Sequence, residues 1–275
     1  MEIKFFCPYW GMRPLSLDKA FQQIKDAGYD GVELGINPEI PGYQEGIAIA
    51  EQHGLLFIAQ HPYAKGPTPE LHLADYTNKL EKIMELKPPL VNCHTGHDYY
   101  TVEQNMAFIQ AAAALSEKYR IPVAHETHRG RFSFCTTITE RFVDAFPGLN
   151  LIADFSHWCV VSESLLEEQQ TIINKVIPHC IHVHARVGYA QGPQVPNPEA
   201  PEYREALAAH LRWWEQITLN HLENNKQQMT ITCEFGPPPY LQTIPFTGEQ
   251  VASQWELNLF MKKYLEENLK KIHLS

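Results

Sequence analysis

Residues 90–128 read LVNCHTGHDYYTVEQNMAFIQAAAALSEKYRIPVAHETH and carry the pattern that decides the fold. Two short runs of strand-forming residues, at 90–96 and 121–128, flank a longer amphipathic segment near 101–119. This alternation is typical of parallel sheets, because two parallel strands must be joined by a crossover connection, usually a helix. The stretch is therefore predicted to be a strand–helix–strand unit.

The same alternation extends over the whole chain. Six further strand-like runs lie at 3–9, 29–35, 55–63, 149–157, 180–187 and 229–236. Segments with helical periodicity lie near 15–28, 43–53, 70–87, 136–146, 163–176, 202–224 and 249–270. Eight strands that alternate with eight helices in 275 residues predict an α/β fold, a single (β/α)8 TIM-barrel domain over 1–275. An open doubly wound sheet is the weaker alternative.

Composition and charge narrow the class of protein. Hydrophobic residues make up 44% of the chain and charged residues 20%, a balance typical of one large globular core. A formal net charge of −10 disfavours binding to nucleic acid or to an anionic membrane. No run approaches the roughly 18 apolar residues of a membrane span, and the first residues lack the features of a signal peptide. We therefore expect a cytoplasmic protein whose six cysteines are free.

Polar side chains gather at the predicted carboxyl ends of the strands, where TIM-barrel enzymes carry their catalytic groups. Four acids lie there within otherwise apolar runs, namely Glu33, Glu126, Asp154 and Glu234. Eight of the fourteen histidines lie there too: His61, His94, His97, His125, His128, His157, His182 and His184. Because a buried carboxylate is costly unless it is paired, so many acids at one edge of the barrel require cations.

One residue from each of the last four strands forms the predicted metal tetrad: Glu126, Asp154, His184 and Glu234. Three carboxylates and one imidazole suit Mn²⁺ or Mg²⁺, with Zn²⁺ and Co²⁺ as alternatives. His182 and His184 point to the same side of their strand, and His184 lies nearer its carboxyl end, so His184 is the predicted ligand. A single acid or histidine at a strand end is more often a cap or a core group, so the prediction depends on the four residues together.

Further side chains are expected to contact the substrate around the tetrad. The candidates are Trp10, His94, His157, Trp158, His182 and Arg186. Arg129 and Arg131 follow strand five and could hold a phosphate or carboxylate, although solvated arginines are the commoner case. The proline-rich connection 187–201 is predicted to lie over the metal, with an oligomer contact as its alternative.

The run DAGYDGVELG (26–35), together with ETH, DFSH, HVHAR and CEFG at four successive strand ends, resembles the sugar isomerase and epimerase superfamily with the xylose-isomerase-like TIM barrel. The resemblance covers essentially the whole chain. It implies that the tetrad holds a divalent metal and that His157 binds the substrate. Similarity to the ketose 3-epimerase branch implies that Glu126 and Glu234 also exchange a proton with the substrate carbon.

The same superfamily contains the family 2 apurinic-site endonucleases, which hold three zinc ions. Residues at matching places are His94, Glu126, Asp154, His157, His184 and Glu234, with His61 as a further candidate. The Asp-x-His pair of those enzymes is missing after strand seven, where the chain reads GYAQGPQVPNP. A third zinc ion is therefore not expected, and the net charge disfavours a DNA substrate.

The resulting prediction is a divalent-metal-dependent isomerase or epimerase that acts on a small sugar or polyol. A metal ion at a carbonyl lowers the pKa of the neighbouring carbon, so Glu126 and Glu234 could remove and return a proton there. A two-metal hydride transfer is left open. The alternatives are a metal-dependent hydrolase or lyase of the apurinic-endonuclease or dehydratase kind, and a barrel that binds sugar or metal without turnover. Whether the protein forms a homo-oligomer is also left open.

Overall fold

The computed structural model describes residues 1–269 and 272. Its eight parallel strands close into a barrel in chain order, with the last strand paired to the first. The strands are β1 (Glu2–Pro8), β2 (Gly31–Gly35), β3 (Leu56–His61), β4 (Val91–Cys93), β5 (Val123–Glu126), β6 (Leu151–Ala153), β7 (Cys180–His184) and β8 (Gln228–Thr232). The predicted closed barrel is confirmed, and the open sheet is excluded.

Nine α-helices surround the barrel in the described residues. They are α1 (Leu17–Asp26), α2 (Glu45–Gln52), α3 (Pro69–Met84), α4 (Val102–Tyr119), α5 (Thr136–Ala145), α6 (Ser156–Val161), α7 (Gln170–Val176), α8 (Arg204–Glu223) and α9 (Gln254–Leu269). None of these helices is both long and apolar enough to cross a bilayer. Helix α4 begins at a capping box, in which Thr101 and Gln104 satisfy each other's backbone N–H groups.

The connection between β6 and β7 differs from the prediction, which placed one helix near 163–176. The structure has two helices there, because the chain turns into α6 directly after β6. The Asp154 carboxylate accepts hydrogen bonds from the backbone N–H and the hydroxyl of Ser156 and so fixes this turn. A helix of six residues is too short to show a 3.6-residue period, and its first four side chains are all buried. The turn carries His157 into the barrel mouth.

The barrel interior changes from apolar to polar toward the carboxyl ends of the strands. Phe6, Ile58, Leu90, Ala124 and Ile152 form a buried apolar cluster inside the barrel. Alternate residues of a strand share a face, so the residue two positions beyond Ala124 or Ile152 points to the same interior. Those residues are Glu126 and Asp154, and the strand pattern thereby places both acids above the apolar cluster.

The proline-rich connection 187–201 is held by contacts next to β8. Val195 is fully buried, and the side-chain amide of Gln194 forms two hydrogen bonds with the backbone of Gly236, of 2.7 and 3.2 Å. The connection thus packs against the segment that follows β8. Tyr240 of that segment lies over Arg186 at the polar mouth. The covering role of the connection itself stays a prediction.

Candidate active site

The carboxyl ends of β5 to β8 bring the four tetrad residues together. Glu126, Asp154, His184 and Glu234 are all buried, and one potential ligand atom from each lies within 4.8 Å of the others. His184 Nδ1 and Glu234 Oε2 lie 2.8 Å apart as a buried ion pair, and neither atom forms an aligned hydrogen bond within the described part of the chain. Four buried ligand-type side chains that converge on one space fit a bound cation, and the oxygen-rich donor set suits a divalent metal.

Burial raises the pKa values of two of the acids. It raises the pKa of Asp154 to about 6, because the lost hydration of the carboxylate outweighs the favourable charge of Arg186. It also raises the pKa of Glu234, although His184 and Arg186 act in the opposite direction. Both carboxyl groups therefore take up protons more readily than exposed acids do.

The pKa values of His184 and Glu126 are shifted by their neighbours. Burial would lower the pKa of His184, but the surrounding carboxylates, with Glu234 foremost, hold it well above its usual range. Burial would raise the pKa of Glu126, but His94 and His184 hold it well below its usual range. His184 thus carries a proton that a bound metal ion must displace.

Arg186 places a fixed positive charge at the edge of the tetrad. Its Nη2 donates to Asp154 Oδ2 and lies 3.5 Å from Glu234 Oε2. The ring of Tyr240 lies over the guanidinium, with 4.5 Å between the guanidinium carbon and the ring centroid. A buried guanidinium in this place can stabilise negative charge that develops on a substrate oxygen.

His157 lies beside Arg186 at the start of α6 and is fully buried. Its Nε2 lies 2.9 Å from Arg186 Nη2, which is always a donor, so Nε2 accepts and Nδ1 carries the hydrogen. Burial holds the pKa of His157 well below its usual range, so the ring is neutral. The Nδ1 atom is buried and has no hydrogen-bond partner in the described residues.

His94 and His128 lie next to His157 and the tetrad. His94 Nε2 lies 3.0 Å from Glu126 Oε2, and the rings of His94 and His128 lie 4.7 Å apart. His128 contacts Tyr240 at 3.4 Å and His157 at a ring distance of 3.9 Å. The sequence analysis placed His128 at a strand end but not among the site residues. The available signal was the Glu-x-His spacing at the end of β5, since a continued strand period would place both side chains on one side.

His182 and Trp158 lie deeper than the other substrate candidates. His182 is fully buried inside the barrel, where its two ring nitrogens contact the hydroxyls of Thr230 and Thr232 at 2.6 and 3.0 Å. Trp158 is also fully buried, stacks on Phe155 and donates a hydrogen bond to a backbone carbonyl. Both side chains have protein partners that account for their burial, so the structure places them in the packing beneath the tetrad.

Four other residues singled out in the sequence lie around the tetrad. Trp10 packs edge-on against Tyr240 and forms one wall of a neighbouring cavity of about 680 Å³. Arg129 also lies over Tyr240, at 5.3 Å, and Arg131 donates to the Gly96 carbonyl. His61 contacts the backbone carbonyl of Tyr76 instead of the tetrad.

Two residues that the prediction left out of the tetrad lie directly below it. Glu33 of β2 and Asn92 of β4 are buried, and both contact His184 Nε2, at 3.0 and 3.3 Å. Asn92 also donates to Glu126 Oε2 at 3.1 Å. The sequence showed that Glu33 is an acid in an apolar run. Its contact with His184 could not be predicted, because the two residues are 151 positions apart and meet only when the barrel closes.

Comparison with known proteins gives a family match and several similar structures. A sequence model described as the xylose isomerase-like TIM barrel matches residues 21–208. The chain is similar to 3-keto-D-glucoside 4-epimerase YcjR from E. coli, with TM-score 0.60, 14% identity and coverage of 97% of this chain and 99% of that one. It is also similar to the probable 3-DHS dehydratase AsbF from Bacillus anthracis, with TM-score 0.60, 13% identity and coverage of 96% and 98%.

A third similar structure is an AP endonuclease, family 2, from Brucella melitensis, with TM-score 0.58, 16% identity and coverage of 86% of this chain and 93% of that one. At such identities the structural likeness shows a shared fold. A search of curated proteins found no match.

Proposed function

Because the chain belongs to the xylose isomerase-like TIM barrel family, as its motifs predicted, we propose that it is a divalent-metal-dependent isomerase or epimerase of a small sugar or polyol. The observation that carries this proposal is the convergence of the tetrad, in which four buried potential ligand atoms lie within 4.8 Å of one another. An epimerase among the similar structures supports a small carbohydrate as the substrate class.

A metal ion held by the tetrad would supply electrostatic stabilisation of the negative charge that develops on the substrate oxygens. The two glutamates of the tetrad divide the proton transfer. Glu234 has a raised pKa, which makes it the stronger proton acceptor of the two. Glu126, whose Oε2 lies 3.0 Å from His94 Nε2, would pass a proton from His94 to the carbon without holding it. Solvent would then return a proton to His94 and take up the one held by Glu234, so that both sides regain their starting state. Glu126 ends β5 and Glu234 follows β8, so the two carboxylates can approach the substrate from different sides.

Arg186, His157 and Tyr240 assist this transfer without exchanging the proton. The guanidinium of Arg186 faces the tetrad and stabilises the developing oxyanion. The Nδ1–H of His157 donates to a substrate hydroxyl. Tyr240 covers Arg186 and keeps water away from that side of the site, which strengthens both interactions.

A metal-dependent dehydratase is the second candidate function. Elimination of a hydroxyl begins with the same proton abstraction but then requires an acid at the leaving oxygen. The His128 Nε2 atom and the Tyr240 hydroxyl lie 3.4 Å apart at the mouth and could supply such an acid. A dehydratase is also among the similar structures.

We expect the metal-loaded protein to exchange one carbon-bound hydrogen of its substrate with solvent. A panel of ketoses, aldoses and keto sugars is incubated in D₂O with protein loaded with Mn²⁺, Mg²⁺, Co²⁺ or Zn²⁺ and followed by NMR. Deuterium incorporation next to the carbonyl, lost after chelation, is the expected result. Loss of a hydroxyl in the same spectra identifies the dehydratase. Turnover that persists unchanged after full removal of metal contradicts the proposal.

A further inference from the structure

The carboxylate of Glu33 lies in a closed network of hydrogen-bond donors beneath the tetrad. The Thr232 hydroxyl donates to Oε2 at 2.5 Å, and the Asn92 amide donates to Oε1 at 2.9 Å. His184 Nε2 lies 3.0 and 3.1 Å from the two oxygens. His182 Nε2 lies 3.5 Å from Oε2. Glu33 is buried, so these side chains and not water satisfy its charge.

This network determines which nitrogen of His184 faces the tetrad. An ionised carboxylate can only accept hydrogen bonds, so Nε2 of His184 must carry a hydrogen where it meets Glu33. The Asn92 amide nitrogen, 3.3 Å from Nε2, does not need it as an acceptor, because its two hydrogens are donated to Glu33 Oε1 and Glu126 Oε2. The other nitrogen, Nδ1, lies 2.8 Å from Glu234 Oε2 and 3.7 Å from Glu126 Oε2. When the ring is neutral, its lone pair is therefore on Nδ1 and points at the other tetrad ligands.

We propose that Glu33 is a positioning residue, which holds His184 through Nε2 so that Nδ1 is the metal-binding atom. This inference rests on the proposed metal-dependent function. A carboxylate behind a histidine ligand fixes its tautomer and ring orientation and strengthens it as a ligand. The Thr232 hydroxyl and the Asn92 amide in turn hold the carboxylate in place.

Glu33, His182 and His184 also lie close enough together to form a metal group of their own. Two features favour the positioning role. The oxygens of Glu33 are already engaged by the donors of Thr232, Asn92 and His184, which leaves little room for an ion. His182 directs both of its ring nitrogens to threonine hydroxyls.

The first test compares the Mn²⁺ affinity of the wild-type protein with that of Glu33→Ala and Glu33→Gln by calorimetry. Glu33→Ala is expected to weaken binding by about 10- to 100-fold. Glu33→Gln is expected to lose less, because the amide oxygen can still accept from Nε2. The matched control is Thr230→Val, which removes a hydroxyl that contacts His182 but leaves Glu33 and His184 untouched and should bind Mn²⁺ as the wild type does.

The second test determines the tautomer of His184 directly by NMR and needs no substitution. In wild-type protein with ¹⁵N-labelled histidine and diamagnetic Zn²⁺, NMR is expected to show a hydrogen on Nε2 of His184 and none on Nδ1. A hydrogen on Nδ1 with Zn²⁺ on Nε2 overturns the inference, whether or not the Glu33 variants fold.

The outcomes separate this inference from the function on which it rests. A folded wild-type protein that binds none of the divalent metals refutes the metal-dependent function and the role of Glu33 with it. A wild-type protein that binds Mn²⁺, beside folded Glu33 variants of unchanged affinity, refutes only the positioning role.

Discussion

Glu234→Gln is expected to lower turnover by about 10²- to 10⁴-fold at saturating metal, because it removes the stronger proton acceptor of the site. The substitution keeps the volume of the side chain, so the barrel should remain folded. It also removes one ligand charge, so the metal concentration must be raised until the variant is loaded. The measurement is the rate of solvent deuterium incorporation into the substrate, with loading checked by calorimetry.

Glu223→Gln is the control for this experiment, because Glu223 is exposed at the end of α8, next to the amino end of β8 and opposite the carboxyl ends that carry the tetrad. It should exchange deuterium at the wild-type rate. If loaded Glu234→Gln does the same, then Glu234 takes no part in the proton transfer, and the assignment of the two glutamates is wrong.

The Mn²⁺ affinity of the wild-type protein is expected to fall steeply as the pH is lowered from 8 to 5. The pKa of His184 is held well above its usual range, so a metal ion must displace its proton wherever the pH lies below that raised pKa. Displacement of one proton costs about tenfold in affinity for each pH unit lowered. Below its pKa of about 6, Asp154 also holds a proton, so the dependence should approach about 100-fold per unit.

Calorimetry in several buffers measures both the affinity and the number of protons released. Release of more protons near pH 5 than near pH 8 is expected, because Asp154 adds its proton below about pH 6. An affinity that stays constant between pH 5 and 8 would mean that the metal does not compete for His184 and Asp154. The Asp154→Asn variant separates the contribution of His184 from that of Asp154. It should bind Mn²⁺ more weakly than the wild type, but its affinity should keep the shallower pH dependence down to pH 5.

The tetrad could be predicted from the sequence because the strand period determines where its side chains point. Glu126 and Asp154 each stand two positions beyond an interior apolar residue, and successive parallel strands bring their carboxyl ends to one edge. No knowledge of loop conformation was needed for that step. The family resemblance used the same residues, and the family match over 21–208 agrees with it.

The residues around the tetrad were harder to predict, for two physical reasons. The contact between Glu33 and His184 runs across the barrel interior and depends on how the eight strands are staggered, which a local pattern does not contain. Tyr240 belongs to an irregular segment between β8 and α9, where no periodicity indicates which side chain turns inward. The proline content of 187–201 indicated a long connection correctly but not the surface against which it packs.

The central claim is that the tetrad binds one divalent metal ion, and anomalous diffraction tests it most directly. Crystals of the Mn²⁺-loaded protein, measured on both sides of the manganese absorption edge, are predicted to show an anomalous peak in contact with Glu126, Asp154, His184 Nδ1 and Glu234. Crystals grown at saturating Mn²⁺ that show no peak within reach of these four side chains, or only a peak elsewhere in the barrel, would contradict the claim.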